Sequence, residues 1–224
     1  MNEYQKLQQK LGPAYALNTR DSTTPHAVVL LPSFSVGESL LHHYASRLPA
    51  LEHRFLVGLL GLRMAATRIV YICTAAPAPE VVEHYLSLLP SWLRPPPHDR
   101  FDIVVVDDPT PRAVAAKLLD RPDLIARVRS WVGDDPAFIE PWNATEPERE
   151  LALRLGVPMM GTDPALWPLG FKSAGRKLFR EAAVPTPRGS EDLRSVSEVI
   201  AAIGRLRAAD PDLEAVVVKH DDSG

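Results

Sequence analysis

Ala27-Val28-Val29-Leu30-Leu31, closed by Pro32, is the stretch on which the fold turns. A run of aliphatic residues ended by a residue without a backbone N–H predicts a strand buried on both faces. Two further runs share this form: Arg68-Ile69-Val70-Tyr71-Ile72-Cys73 and Phe101-Asp102-Ile103-Val104-Val105-Val106-Asp107. Continuous rather than alternating apolar strands are what a parallel sheet between helix layers requires.

The segments between these runs read as helices. Leu51 to Met64 places Phe55, Leu56, Leu59 and Leu62 on one face. Pro79 to Leu89 begins with proline in the first turn and carries Val82, Tyr85, Leu86 and Leu89 in register. Thr110-Pro111 reads as an N-cap followed by proline at N1, opening a helix with Val114, Leu118 and Leu119 apolar. Arg121 to Trp131 carries Leu124, Ile125 and Val128, and Thr145-Glu146-Pro147-Glu148 is a capping box whose helix ends at Gly156. Val157 to Met160 is a short strand candidate. Strands alternating with helices predict an α/β fold with a parallel sheet.

Composition bounds the function classes. The chain has 224 residues, 25 Lys+Arg against 28 Asp+Glu, and a net charge of −3. That balance argues against a general nucleic-acid binder. The single cysteine, Cys73, sits inside an apolar run and reads as core; one cysteine supports neither an internal disulfide nor a cysteine zinc cage, and the expected setting is the cytoplasm. No run approaches the roughly 20 apolar residues of a membrane helix. Trp131, Trp142 and Trp167 read as packing anchors, because no basic stripe interleaves them.

After Gly161 the pattern changes. Ser173 to Ala183 reads as a helix stopping before Val184-Pro185-Thr186-Pro187, Ser195 to Glu198 is a second capping box for a helix reaching about Ala208, and Ala215-Val216-Val217-Val218-Lys219 reads as a strand entering His220-Asp221-Asp222-Ser223-Gly224. Gly170-Phe171-Lys172-Ser173-Ala174-Gly175-Arg176-Lys177-Leu178-Phe179, the proline turn and Ala215–Gly224 together resemble the entry of ATP-grasp ligases. Leu31-Pro32-Ser33-Phe34-Ser35, Asp107-Asp108-Pro109, Ala116 to Pro122 and Glu148 to Gly156 are similar to the pre-ATP-grasp domain of the group related to the peptide ligase of pheganomycin biosynthesis.

Residues 1–25 read as a polar lead-in; from about residue 26 onward the resemblance implies a Rossmann-like pre-ATP-grasp domain over 26–163 and a truncated first ATP-grasp lobe over 164–224, cut at the phosphate loop. It implies an ATP-dependent carboxylate–amine ligase acting through an acyl phosphate on peptides or amino acids. The acidic Mg²⁺ ligands are expected downstream, in a missing C-terminal half or a complementary chain. A non-catalytic binding module and one half of a split ligase are the alternatives.

Lys172 and Lys219 are the expected phosphate-binding residues, since each ammonium is a compact point charge. A cation at a helix start opposes the helix dipole, which makes Lys172 a costly choice for capping alone. Ser223 and Gly224 are the expected phosphate-loop contacts. Ser33 and Ser35, after the first strand, read either as a serine-capped turn or as an anion site beyond the strand's carboxyl end. Asp107-Asp108 reads as an Asx turn or an acid pair. His42 and His43 are adjacent and cannot share one helix face.

Overall fold

The computed structural model describes residues 1–20, 23–35, 37–94 and 99–221. The chain divides into two compact units, Met1–Thr162 and Asp163–Gly224.

In the first unit α1 (Glu3–Gln8) and α2 (Leu11–Arg20) precede β1 (His26–Leu31); α3 (Glu38–His43) and α4 (Leu48–His53) lead to β2 (Thr67–Cys73). Then come α5 (Pro79–Ser87), β3 (Phe101–Val105), α6 (Val114–Leu119), α7 (Pro122–Val132), β4 (Ala137–Pro141) and α8 (Glu146–Leu155). Among the described residues the strands form one parallel sheet in the order β3-β2-β1-β4. Val28 pairs with Ile69 on one side and Phe138 on the other, so β1 is central and buried along its whole length. The α/β sheet covered by helices is therefore observed. The Val157–Met160 candidate contributes a single bridge, Met159 to Ile139.

Side-chain alternation along β1 divides the core. Ala27, Val29 and Leu31 join Val114, Leu118, Val128 and Leu151 on one face; Val28 and Leu30 join Leu56, Leu59, Leu62 and Tyr71 on the other. The lead-in is part of this packing, because Tyr4, Leu7 and Ala14 are buried. Gln8 reinforces it by donating to the Met159 carbonyl and accepting the Met159 N–H, both at 2.8 Å.

The helix expected over 51–64 is corrected: α4 ends at His53 and a 3₁₀ helix runs from Arg54 to Arg63. Its apolar residues Leu56, Leu59 and Leu62 are spaced by three, which is the 3₁₀ period, and all three are fully buried. Gly58 permits the close approach to β1, since a Cβ there would lie 2.7 Å from the Leu30 methyls. The Thr110-Pro111 start is also corrected. Asp108 takes the Thr110 N–H at 2.9 Å, the chain turns again, and α6 begins at Val114. The α8 capping box and its left-handed Gly156 (φ 71°) are as expected.

The second unit contains a 3₁₀ helix (Pro164–Gly170), α9 (Lys172–Glu181) and α10 (Val196–Ala209). The second capping box is formed: Ser195 accepts the Glu198 N–H at 3.2 Å. The strand expected over 215–219 is not formed. A strand needs a neighbour for its ladder groups, and the described residues of this unit supply none. Val217 and Val218 are 80% and 65% exposed. Polar contacts hold much of this unit: Arg176 and Arg180 both pair with Glu191, at 2.8 and 3.2 Å, and Lys177 pairs with Asp192. Among the described residues no helix is long and apolar enough to cross a membrane.

Candidate functional site

Parallel strands deliver their following loops to one edge of the sheet, and in the first unit that edge gathers the buried Ser33, Glu52, Thr74, Lys117 and Glu148, while the buried His26 and Thr67 pair at the opposite edge. The strand order reverses at β1, with β2 on one side and β4 on the other. There the chain leaves β1 through Ser33 and Ser35. Both hydroxyls donate to Glu148 Oε1, Ser33 at 2.5 Å. The other oxygen, Oε2, accepts the Thr145 N–H at 2.9 Å and the Thr145 hydroxyl at 2.5 Å. Glu148 is fully buried, and these donors compensate its desolvation. Ser33 Oγ also accepts the Ala115 N–H at 3.1 Å, so α6 is capped by a residue of the β1 loop, eighty-two positions away in the chain. The serine pair thus fastens three elements together. Beside it lies a cleft of about 660 Å³ lined by Ser35, His42, Thr110, Arg112 and Thr145.

A second buried network closes β2 and β3. Glu52, on α4, accepts the Thr74 N–H and the Thr74 hydroxyl, each at 2.7 Å. Lys117, on α6, donates to the same Thr74 hydroxyl at 3.0 Å. Glu52 and Lys117 are 2% and 1% exposed. Burial raises the Glu52 pKa against the pull of Thr74, Lys117 and His53. Burial lowers that of Lys117, opposed by Glu52 and Asp108. Asp107 adopts a left-handed backbone (φ 58°), a conformation aspartate tolerates, and turns the chain across the end of β2 through its N–H to the Thr74 carbonyl. Burial works against the Asp108 carboxylate, but Thr110, Lys117 and Arg112 more than offset it and hold its pKa below the usual range. Thr74, Asp107, Asp108, Thr110 and Lys117 border a cleft of about 410 Å³.

Cys73 is fully buried in β2 beside this network, and burial pushes its thiol up to about 12, which makes it inert core. Trp142 is corrected as an anchor: it is 53% exposed and lies between Phe34 and Phe55, with ring centroids 4.9 and 5.9 Å away. Among the described residues no group of His, Cys, Asp and Glu is arranged to hold a metal ion.

In the second unit Lys172 is the first residue of α9 and is half-buried; Lys219 is exposed. Asp221, two residues after Lys219, accepts the Ser173 N–H at 2.8 Å, in the first turn of α9. That hydrogen bond, then the Ser173 hydroxyl, hold the Asp221 pKa low, with Lys172 and Lys177 adding charge attraction. The α9 N-terminus thus carries an anion supplied by the chain two residues after Lys219. Ser223 and Gly224 lie outside the described residues.

Sequence reading singled out Lys172, Lys219 and the serine pair but not Glu52, Thr74 or Lys117. Each of these three reads locally as an ordinary polar position, and only their convergence from α4, β2 and α6 makes a network. The available signal is Asp107-Asp108 at the end of an apolar strand, which by itself reads only as an Asx turn or an acid pair.

No family model and no solved structure matches the chain. It is similar to the L-propargylglycine–L-glutamate ligase of Streptantibioticus cattleyicolor, 28% identical over 202 residues, which cover 86% of this chain and 41% of that protein. This likeness supports a ligase-like role in general.

Proposed function

We propose that the chain is the N-terminal portion of an ATP-dependent carboxylate–amine ligase that joins amino acids or peptides through an acyl phosphate. The observation that carries the reading is the likeness to a ligase whose name couples two amino acids, over 86% of this chain and so over residues of both units. The chain spans 41% of that relative's length, and the remaining machinery of such an enzyme is proposed to come from further polypeptide.

In this reading ATP transfers its γ-phosphoryl group to a substrate carboxylate. The incoming amine displaces phosphate from the acyl phosphate, giving an amide, ADP and phosphate. Lys172 and Lys219 would hold ATP phosphates as point charges, with the backbone around Ser223 and Gly224 contributing N–H donors. Fitness for an anion is supported by Asp221, a carboxylate two residues after Lys219 that is already seated on the first turn of α9 at Ser173, the residue after Lys172. Mg²⁺ does not fit the described residues, which offer no ligand cluster, so no step is assigned to it here.

The test uses the natural polypeptide containing these residues, read through whatever frame follows Gly224. With ATP and pairs of amino acids it should form a dipeptide-type amide with stoichiometric ADP. Lys172→Ala and Lys219→Ala should each weaken ATP binding about tenfold or more by calorimetry. Absence of ATP binding in that polypeptide, or unchanged affinity in both variants, overturns the reading.

A further inference from the structure

The edge where β2 and β3 end holds an ammonium that the fold does not fully use. Lys117 is 1% exposed, and its Nζ makes one hydrogen bond, to the Thr74 hydroxyl. An ammonium carries three N–H donors, so two are left over in a place where water is largely excluded. Glu52 does not take them directly. Its two oxygens accept from Thr74, and Lys117 reaches it only through that hydroxyl. A buried cation with spare donors is costly unless an acceptor completes it.

Lys117 lines the cleft of about 410 Å³, a volume within the roughly 300–1,000 Å³ common for small-ligand sites. Asp107, exposed, and Asp108, half-buried, border the same cleft. Leu48, Pro49 and Pro109 supply an apolar wall. The charges select among ligands. A simple anion would meet Lys117 but be repelled by two aspartates, and a simple cation would meet the aspartates but be repelled by Lys117. A small molecule bearing both charges on neighbouring atoms satisfies both sets.

We propose that this cleft binds a free α-amino acid as its zwitterion, with the carboxylate on Lys117, the ammonium toward Asp107 and Asp108, and the side chain against Leu48 and Pro49. The site is built wholly from residues of the first unit and needs no nucleotide, so it is tested apart from the ligase reading. Lys117 acts here as the carboxylate-recognising residue. The paired aspartates reject acids that lack an amine.

The experiment is calorimetry and thermal shift on the whole chain without ATP, with proteinogenic L-amino acids added singly at millimolar concentration. At least one should bind. Its methyl ester, which lacks the carboxylate charge, and its N-acetyl derivative, which lacks the ammonium, should each bind about tenfold or more weakly. Lys117→Met should abolish binding while keeping the circular dichroism of the parent. Should Lys117→Met not fold, Asp107→Asn and Asp108→Asn, at better-hydrated positions, carry the test and should each weaken binding severalfold. The proposal is overturned if no amino acid binds without ATP, if the ester and acetyl derivatives bind as well as the parent, or if both asparagine variants bind unchanged. Because ATP is absent, a negative result here leaves the ligase reading to be judged by its own turnover assay.

Discussion

Ala27–Leu31 in the first unit and Ala215–Val218 in the second are nearly the same chemistry: short aliphatic runs rich in valine. The first is a central strand with every residue buried and a neighbour on each side. The second forms no strand, and Val217 is 80% exposed. The difference lies in what surrounds them, since β-propensity expresses fit to a pleated, half-buried surface and not a property of the run itself. The two units are also held differently. Among the described residues, the buried hydrophobic side chains all belong to the first unit except Ala202. The second relies on ion pairs around Glu191 and on the Ser173–Asp221 cap.

The contrast is broken most directly by truncating one apolar side chain in each unit. Leu59→Ala should cost about 3 kcal/mol by urea denaturation, because it empties a fully buried site on the sheet. Val217→Ala should stay within about 0.5 kcal/mol. A loss at Val217 comparable to that at Leu59 would show that the second run is packed in solution. Glu148→Ala should cost about 2–3 kcal/mol, since it leaves the Ser33, Ser35 and Thr145 donors without their shared acceptor. Glu148→Gln, which keeps an acceptor oxygen, should recover part of that loss in the same assay.

Hydrogen exchange sharpens the comparison without mutation. Amides of Val28 to Leu30 should exchange only on global opening, and those of Val216 to Lys219 near the unprotected rate. Protection over 216–219 would reveal a pairing partner.

The smallest expected effect is on pH dependence, where two carboxylates act with opposite sign. Glu52 is raised from 4.5 by burial, so its contribution is present below 4.5 and is lost as pH rises through its folded value. Glu191 is lowered from 4.5, chiefly by the Arg176 hydrogen bond, so its contribution is present above 4.5 and is lost as pH falls through its folded value. Denaturation midpoints across pH should lose the first slope in Glu52→Gln and the second in Glu191→Gln. Identical profiles for both variants and the parent would remove these carboxylates from the account.

The legible parts were those set by short-range chemistry. Thr145 with Glu148, Ser195 with Glu198, Gly156 and the apolar strands each carry their instruction within a few residues. Less legible was the 3₁₀ path from Arg54 to Arg63. There the leucine spacing of three suits either helix type, and contact with β1 through Gly58 selects the tighter one. Thr110 looked like a cap, and the actual cap of α6 is Ser33, which no local pattern announces. The Lys117–Thr74–Glu52 network was invisible for the same reason.

By itself, then, the sequence determined that buried parallel strands alternate with capped helices, because apolar continuity and capping pairs act over a few residues. Only the tertiary structure decided which aliphatic run becomes a strand, which serine caps α6 and which lysine is buried with spare donors. Each of those outcomes depends on groups brought together from distant positions, and ladder pairing and desolvation have no value until the partners are in place.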